Sequence, residues 1–243
     1  LPLVPALATS CNSYFCWGLF RMFGDRKYGS PQNAITVWKD HMVSQGFGYK
    51  LGVDLPSEGR GLIPNAAFYD KPYKGRWNGL TVISIAIGQG EILATPLQIA
   101  NLSATIANRG HFITPHIVKE IQDNQLDSIY RTPRVPTIDR IHYEEVVKGM
   151  RAAVTGGTCR VAGYMFPEGE ICGKTGTAQN RGRDHSAFMG FAPMNNPKIA
   201  IAVYVENGGF GATYGVPIGT LMIEQYLNGK LSPASEAKAA EFS

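Results

Sequence analysis

Ile171-Cys172-Gly173-Lys174-Thr175-Gly176-Thr177-Ala178-Gln179 is the stretch around which the rest of the chain can be organised. Its glycines weaken the local strand signal, but the residues after it support a strand. A polar turn, Asn180-Arg181-Gly182-Arg183-Asp184, leads to Ser186-Ala187-Phe188-Met189-Gly190-Phe191-Ala192-Pro193. A second turn, Asn195-Asn196-Pro197, leads to Ile199-Ala200-Ile201-Ala202-Val203-Tyr204-Val205. The alternation is strand, turn, strand, turn, strand. Residues 217 to 228 then predict a helix, with Leu221, Met222 and Tyr226 near helical spacing and Gly229 to stop it. An antiparallel meander closed by a C-terminal helix is the expected arrangement.

Lys174-Thr175-Gly176-Thr177 has the residue types needed to bind a substrate that ends in a free carboxylate and carries a reactive carbonyl. Lys174 and Thr175 supply a cation and a hydroxyl for the carboxylate. Gly176 lets an extended substrate backbone lie against the strand without a side chain in the way. Thr177 offers its N–H to the carbonyl, where negative charge develops during attack. The same four residues also suit a plain Gly/Thr-rich strand with an exposed lysine, so the surrounding chain has to decide.

Upstream, Ser10-Cys11-Asn12 sits in Pro5–Phe20, whose Leu7, Phe15, Leu19 and Phe20 suit a buried, partly helical segment ending near Gly24. Ser and Asn bond readily to nearby backbone, so a cap or turn is one reading of this tripeptide. Ser30-Pro31 starts a helix carrying Ile35, Trp38, Met42 and Val43, and Thr95-Pro96 starts another carrying Leu97, Ile99, Ala100, Ser103 and Ile106. Both stripes are expected to face the core. Residues 46 to 80, with ten glycines and prolines, read as one long irregular, solvated stretch. His142 to Val154 predicts a further helix leading into Thr155-Gly156-Gly157-Thr158. No linker and no repeat interrupts this pattern.

Taken in order, these segments resemble the transpeptidase domain of class B penicillin-binding proteins, in particular the elongation-type penicillin-binding protein 2 group. Ser10-Cys11-Asn12 and Lys174-Thr175-Gly176 match two of the three boxes known for active-site serine acyltransferases, S-x-N and K-T-G. The resemblance extends to Gly52-Val53-Asp54-Leu55-Pro56-Ser57-Glu58-Gly59, Ile87-Gly88-Gln89-Gly90-Glu91 with Ala94-Thr95-Pro96-Leu97-Gln98, Gly156-Gly157-Thr158 and Gly190-Phe191-Ala192-Pro193. It implies an α+β fold of the DD-peptidase and serine β-lactamase type, an antiparallel sheet sandwiched between helices in α/β/α layers and incomplete on its N-terminal side. It also implies transfer of an acyl group from peptidoglycan stem peptides ending in D-Ala-D-Ala, inhibition by β-lactam antibiotics, and membrane cell-wall synthesis proteins as partners. Ser10 would relay a proton beside the catalytic lysine, Asn12 would bond the substrate's penultimate amide, Lys174 and Thr175 would hold the carboxylate over Gly176, and Thr177 would supply half of the oxyanion hole.

One box is missing. In the family the nucleophilic serine and its lysine form an S-x-x-K box some tens of residues before S-x-N, and here nine residues precede Ser10. Ser235-Glu236-Ala237-Lys238 has the letters but comes after K-T-G, in a small, polar, alanine-rich tail, and is rejected as the box. The expectation is therefore that residues 1–230 are the C-terminal part of one transpeptidase domain, that 231–243 are a disordered tail, and that this chain alone is inactive. The resemblance puts the longer protein on the outer face of the cytoplasmic membrane, anchored by a segment outside this chain. If strands from before the missing box are absent, the strand around Ile199–Val205 loses a neighbour and presents an open edge. A carboxypeptidase, a β-lactamase, a β-lactam sensor and a non-catalytic wall-binding or scaffold module share the same boxes and stay open alternatives.

Other constellations carry less chemistry. Asp184-His185-Ser186 has the letters of a triad, but neighbours on a strand point to opposite faces and do not converge. Four cysteines form no C-x-x-C pair and the histidines show no metal-ligand spacing, so no metal and no cofactor is expected. A free thiol is the simpler reading of each cysteine, with Cys11 and Cys172 placed by the resemblance beside the site. Net charge is +4 without a basic run, which argues against nucleic acid. At 44% hydrophobic and 17% charged, 243 residues suffice for one large domain with a real core, and no apolar run is long enough to span a bilayer.

Overall fold

Alternation of inward and outward side chains builds the sheet that the sequence leads one to expect. The computed structural model describes residues 1–242, and in it β1 (Cys172–Ala178), β2 (His185–Ala192) and β3 (Ile199–Val205) form an antiparallel sheet in the order β1-β2-β3. Lys174 lies opposite Met189, Gly176 opposite Ala187, and Phe188 opposite Val203. Among the described residues β3 pairs with β2 alone.

Helices precede and follow the sheet. In chain order they are α1 (Leu3–Ala8), α2 (Asn12–Phe23), α3 (Pro31–Ser44), α4 (Ala66–Tyr73), α5 (Pro96–Ala107), α6 (Arg140–Gly156), α7 (Arg160–Met165), α8 (Gly215–Asn228) and α9 (Pro233–Ala240). The chain divides into two compact units: Leu1–Cys11, Ile99–Gly110 and Asp139–Ser243 in the first, Asn12–Gln98 and His111–Ile138 in the second.

In the first unit the core gathers on one face of the sheet. Phe188, 1% exposed, packs with Val154 of α6, Ala162 of α7, and Val216 and Ile223 of α8. Phe191, one step out of phase on β2, faces the other side, where Arg109 after α5 lies over its ring with 5.9 Å to the centroid. Helical segments thus cover both faces, the layered arrangement that the resemblance implies. The face of α8 differs from the expected one. Leu221 is buried as expected, but Met222 and Tyr226 are exposed, and Val216, Gly219, Thr220 and Ile223 make up the rest of the buried stripe. Small residues line it because the Phe188 ring fills the space a larger side chain would need.

The second unit is built around Leu19, Phe23, Ala34, Ile35, Tyr69, Trp77, Val82 and Ile85. Ser30 caps α3 by accepting the N–H of Asn33, with Pro31 in the first turn. The expected irregular stretch over 46 to 80 contains a helix, α4, which Asn65 caps by accepting the N–H of Phe68. Pro72 falls in its last turn and signals a helix end, which hides the helix from a reading by composition. Around it the loops are pinned by side chains. Glu58 accepts the backbone N–H groups of Leu51, Gly52 and Val53 at 2.6, 3.0 and 3.2 Å.

Two further expectations are corrected. The stripe of α5 holds only in part: Ser103 and Ile106 are buried as expected, but Leu97 is exposed and the polar Gln98, Asn101 and Thr105 are buried as well. These polar groups go inside because they find partners, Gln98 donating to Tyr49 O and Arg60 O, and Ser103 donating to Gly190 O. The tail expected to be disordered contains α9, capped by Ser232 and anchored through Ser235, which is 3% exposed. Ser243 lies outside the described residues.

Candidate active site

β1 presents Lys174, Thr175, Gly176 and Thr177 along one edge of the sheet, since among the described residues its only partner is β2. The Lys174 amine donates to Ser10 Oγ at 2.6 Å and to Thr175 O at 3.0 Å. Ser10 and Lys174 are 164 residues apart in sequence, so the pairing is a product of the fold. Ser10 sits between α1 and α2 with φ at 54°, a left-handed conformation that a non-glycine residue adopts at a cost. That turn breaks the helical run and aims the serine at the strand.

Electrostatics at Lys174 follow from its surroundings. Burial pushes its pKa below the ordinary lysine value, and the neighbouring Cys159 opposes that shift. The amine therefore gives up its proton more readily than a surface lysine. An anion placed beside it would reverse that tendency, because an opposite charge favours the protonated form.

Thr175 is held from behind. Its hydroxyl donates to Thr158 Oγ1 at 2.9 Å, and the Thr158 N–H donates to Ala8 O at 3.0 Å. One residue earlier, a Cβ on Gly157 would stand 2.1 Å from Ala8 O, so only glycine lets this turn approach the end of α1. Gly157 and Thr158 thus tie the segment before Ser10 to the strand that carries Thr175. Thr177 is approached from the connection after β3: the Gly211 N–H reaches its Oγ1 at 3.4 Å.

Of the residues singled out by sequence, the fold brings together Ser10, Lys174 and Thr175, with Gly176 and Thr177 next on the same strand. Asn12 opens α2 in the second unit and is exposed. Thr158 and Gly211 gain their roles only from the structure. Gly156-Gly157-Thr158 after a helix is the available sequence signal for the first, whereas nothing local marks Gly211.

The rejected constellations have other duties. His185 Nδ1 accepts the N–H of Asn207 at 2.9 Å, and its ring lies 5.4 Å from that of Tyr204. Ser186 is fully buried, donating to Phe210 O and accepting from Gly215 N. The Ser235 hydroxyl donates to Glu224 and the Lys238 amine to Glu241, so the two do not pair as a nucleophile and its base. All four cysteines are free. Cys159 lies close enough to Lys174 to influence it. Burial pushes the Cys159 thiol up to about 11 and the Cys172 thiol up to about 12, which makes both unreactive at neutral pH. Among the described residues no group of His, Cys, Asp or Glu could hold a metal, and no helix is long and apolar enough to cross a membrane.

The family described as penicillin binding protein transpeptidase domain matches residues 2–222. A peptidoglycan D,D-transpeptidase MrdA of Acinetobacter baumannii is 36% identical over 228 residues, which cover 86% of this chain and 32% of that protein. The MrdA of Escherichia coli K12 is 31% identical over 242 residues, covering 91% of this chain and 36% of that protein. The chain thus spans about a third of the length of these relatives. Among solved structures, Pseudomonas aeruginosa PBP2 in complex with WCK 5153 superposes with a TM-score of 0.79 at 33% identity, over 96% of this chain and 49% of that one. The Helicobacter pylori PBP2, solved in complex with MreC, gives a TM-score of 0.75 at 27% identity, over 94% of this chain and 40% of that one.

Proposed function

Because this chain belongs to the penicillin binding protein transpeptidase family, we propose that it forms the K-T-G-bearing part of a peptidoglycan D,D-transpeptidase that cross-links stem peptides through a serine acyl-enzyme. The observation that carries this reading is the 2.6 Å contact between Lys174 and Ser10, which joins the two matched boxes in one site. The nucleophilic serine and its lysine are supplied by an S-x-x-K box outside these 243 residues. That serine attacks the carbonyl between the two terminal D-Ala residues, the last D-Ala leaves, and an acceptor amine releases the acyl group.

Each residue of this chain has a part. Lys174 and the Thr175 hydroxyl bind the terminal carboxylate, the Thr175 proton turning from Thr158 Oγ1 to the substrate, and Gly176 leaves room for the substrate backbone. Ser10 relays the proton toward the lysine of the S-x-x-K box, and the bound carboxylate keeps the neighbouring Lys174 protonated, against the effect of its burial. The Thr177 N–H supplies one donor to the oxyanion, and Asn12 bonds the penultimate amide. β-Lactams, which carry the same carboxylate and reactive carbonyl, acylate the same serine. The protein works on the outer face of the cytoplasmic membrane, anchored outside this chain, with membrane cell-wall synthesis proteins as partners, as the MreC complex of the H. pylori neighbour exemplifies.

Fluorescent-penicillin labelling, checked by intact mass, tests the reading on this chain alone and on a polypeptide that adds an upstream S-x-x-K region. Labelling of the longer polypeptide only is the expected result. A stable adduct on the 243 residues alone would put the nucleophile within them. No labelling of either would leave a non-catalytic wall-binding module.

A further inference from the structure

Helix α9 lies beyond the family match, which ends at residue 222, yet it is held more firmly than a surface tail requires. Glu224 on α8 is a carboxylate 2% exposed. One of its oxygens accepts the Ser232 N–H at 2.8 Å, and the other accepts the hydroxyl of the buried Ser235. A carboxylate taken out of water is costly unless such donors meet it, so this pair of bonds fixes where α9 starts and in which direction it runs. At the far end Phe242 packs on Tyr214, with ring centroids 5.9 Å apart and planes inclined by 56°, and the Lys238 amine lies over the Phe242 ring, 5.4 Å from its centroid.

Tyr214 is the last residue before α8, in the connection that also carries Gly211. Gly211 meets the site directly. Its N–H reaches Thr177 Oγ1, and a Cβ there would lie 2.6 Å from both Gly176 O and Ala187 O. Its neighbours are fixed as well: buried Ser186 ties Phe210 O and Gly215 N to β2, and Gly209 N–H donates to Asp184 O at 2.7 Å. Tyr214, three residues after Gly211 in this connection, is the residue that meets Phe242.

We propose that α9 is a positioning element for acyl transfer: clamped by Glu224 at its start and by the Tyr214–Phe242 contact at its end, it holds the Gly211 backbone against Gly176 and Thr177. The proposal rests on the transpeptidase reading above. Phe242, Tyr214 and Glu224 touch no reacting atom and act through Gly211. Loosening them lets the connection drift from the strand whose Thr177 N–H faces the oxyanion, which slows the acylation step while the carboxylate contacts of Lys174 and Thr175 remain. The affected quantity is the acylation rate constant, and the dissociation constant of the pre-acylation complex stays as it was.

The test uses the longer polypeptide that includes an upstream S-x-x-K region, as wild type, Phe242→Ala, Phe242→Tyr and a deletion of residues 231–243. Penicillin acylation is separated into its dissociation constant and its rate constant, and Tm is measured for each protein. Expected is a fall of about fivefold in the rate constant for Phe242→Ala at an unchanged dissociation constant, the scale of one lost aromatic pair. Phe242→Tyr restores the rate, and the deletion slows it at least as much as Phe242→Ala. A labelled wild type with an unchanged rate constant in Phe242→Ala overturns the proposal alone, even if the deletion does not fold. Lower Tm with wild-type rate constants gives α9 a purely structural role and also overturns it. A wild type that is not acylated overturns the transpeptidase reading and this proposal together.

Discussion

The two units hold their chains in different ways. In the first, a sheet with a regular ladder carries the site, and Phe188 on β2 packs in a core with Phe166 and with small and branched residues of the helix faces. In the second, irregular segments are fastened by side chains to backbone groups: Glu58 to three N–H groups, Asp54 to the N–H groups of Ile117 and Val118, and Gln98 to two carbonyls. A ladder satisfies backbone polarity by repetition, and a clasp satisfies it one group at a time. The first scheme leaves one edge of β1 without a strand partner among the described residues. The second spends its polar side chains on the chain itself.

That contrast can be broken or sharpened by substitution. The largest expected effect is on the first unit's core: Phe188→Ala costs about 3–5 kcal/mol, read as a fall in denaturation midpoint, because the cavity opens beneath β1, β2 and α8 together. A change well below this would mean that the ring is not the centre of that unit. Next, in a polypeptide complete with an S-x-x-K region, Lys174→Ala lowers penicillin acylation about 10²-fold, the scale of a lost electrostatic contact. Unchanged labelling kinetics would remove Lys174 from the site. In the second unit, Glu58→Ala costs about 2 kcal/mol through three unpaired N–H groups. Hydrogen exchange should rise at residues 51–53 while the amides of β2 keep their protection. Exchange rising equally in both would show that the clasp is not local.

The smallest effect concerns pH. Burial lowers the pKa of Lys174, so the unfolded chain binds more protons than the folded one between that lowered value and the ordinary lysine value of about 10.4. The destabilising contribution of the charged amine is full below the lowered pKa and fades as pH rises toward the ordinary value. Lys174→Met removes it. The variant should gain Tm relative to wild type at pH 7, and the gain should shrink as pH approaches about 10. A gain that is independent of pH would point to packing, not charge.

The first unit is the more legible of the two in sequence for the same reason that it differs. Period-two alternation and turn residues are local signals, and they locate β1, β2, β3 and α8. The inward face of α8 departs from the sequence expectation because the Phe188 ring selects Gly219 and Thr220, a preference no single-helix pattern contains. α5 departs in the same way, its buried polar residues having partners remote in sequence. α4 is hidden by Pro72 and by glycines on either side. The tail helix escapes a sequence reading because its anchor, Glu224, belongs to another element.

By itself the sequence determined the residue types of the candidate site, the strand that carries Lys174 through Thr177, and the family to which the ordered segments belong. Only the tertiary structure decided that Lys174 meets Ser10, that Thr158 stands behind Thr175, that Gly211 closes on Thr177, and that Asn12 lies in the other unit. Side-chain type and backbone period are properties of a few consecutive residues. A bond across 164 positions exists only once burial has brought two distant segments together, and no local pattern encodes which segments those will be.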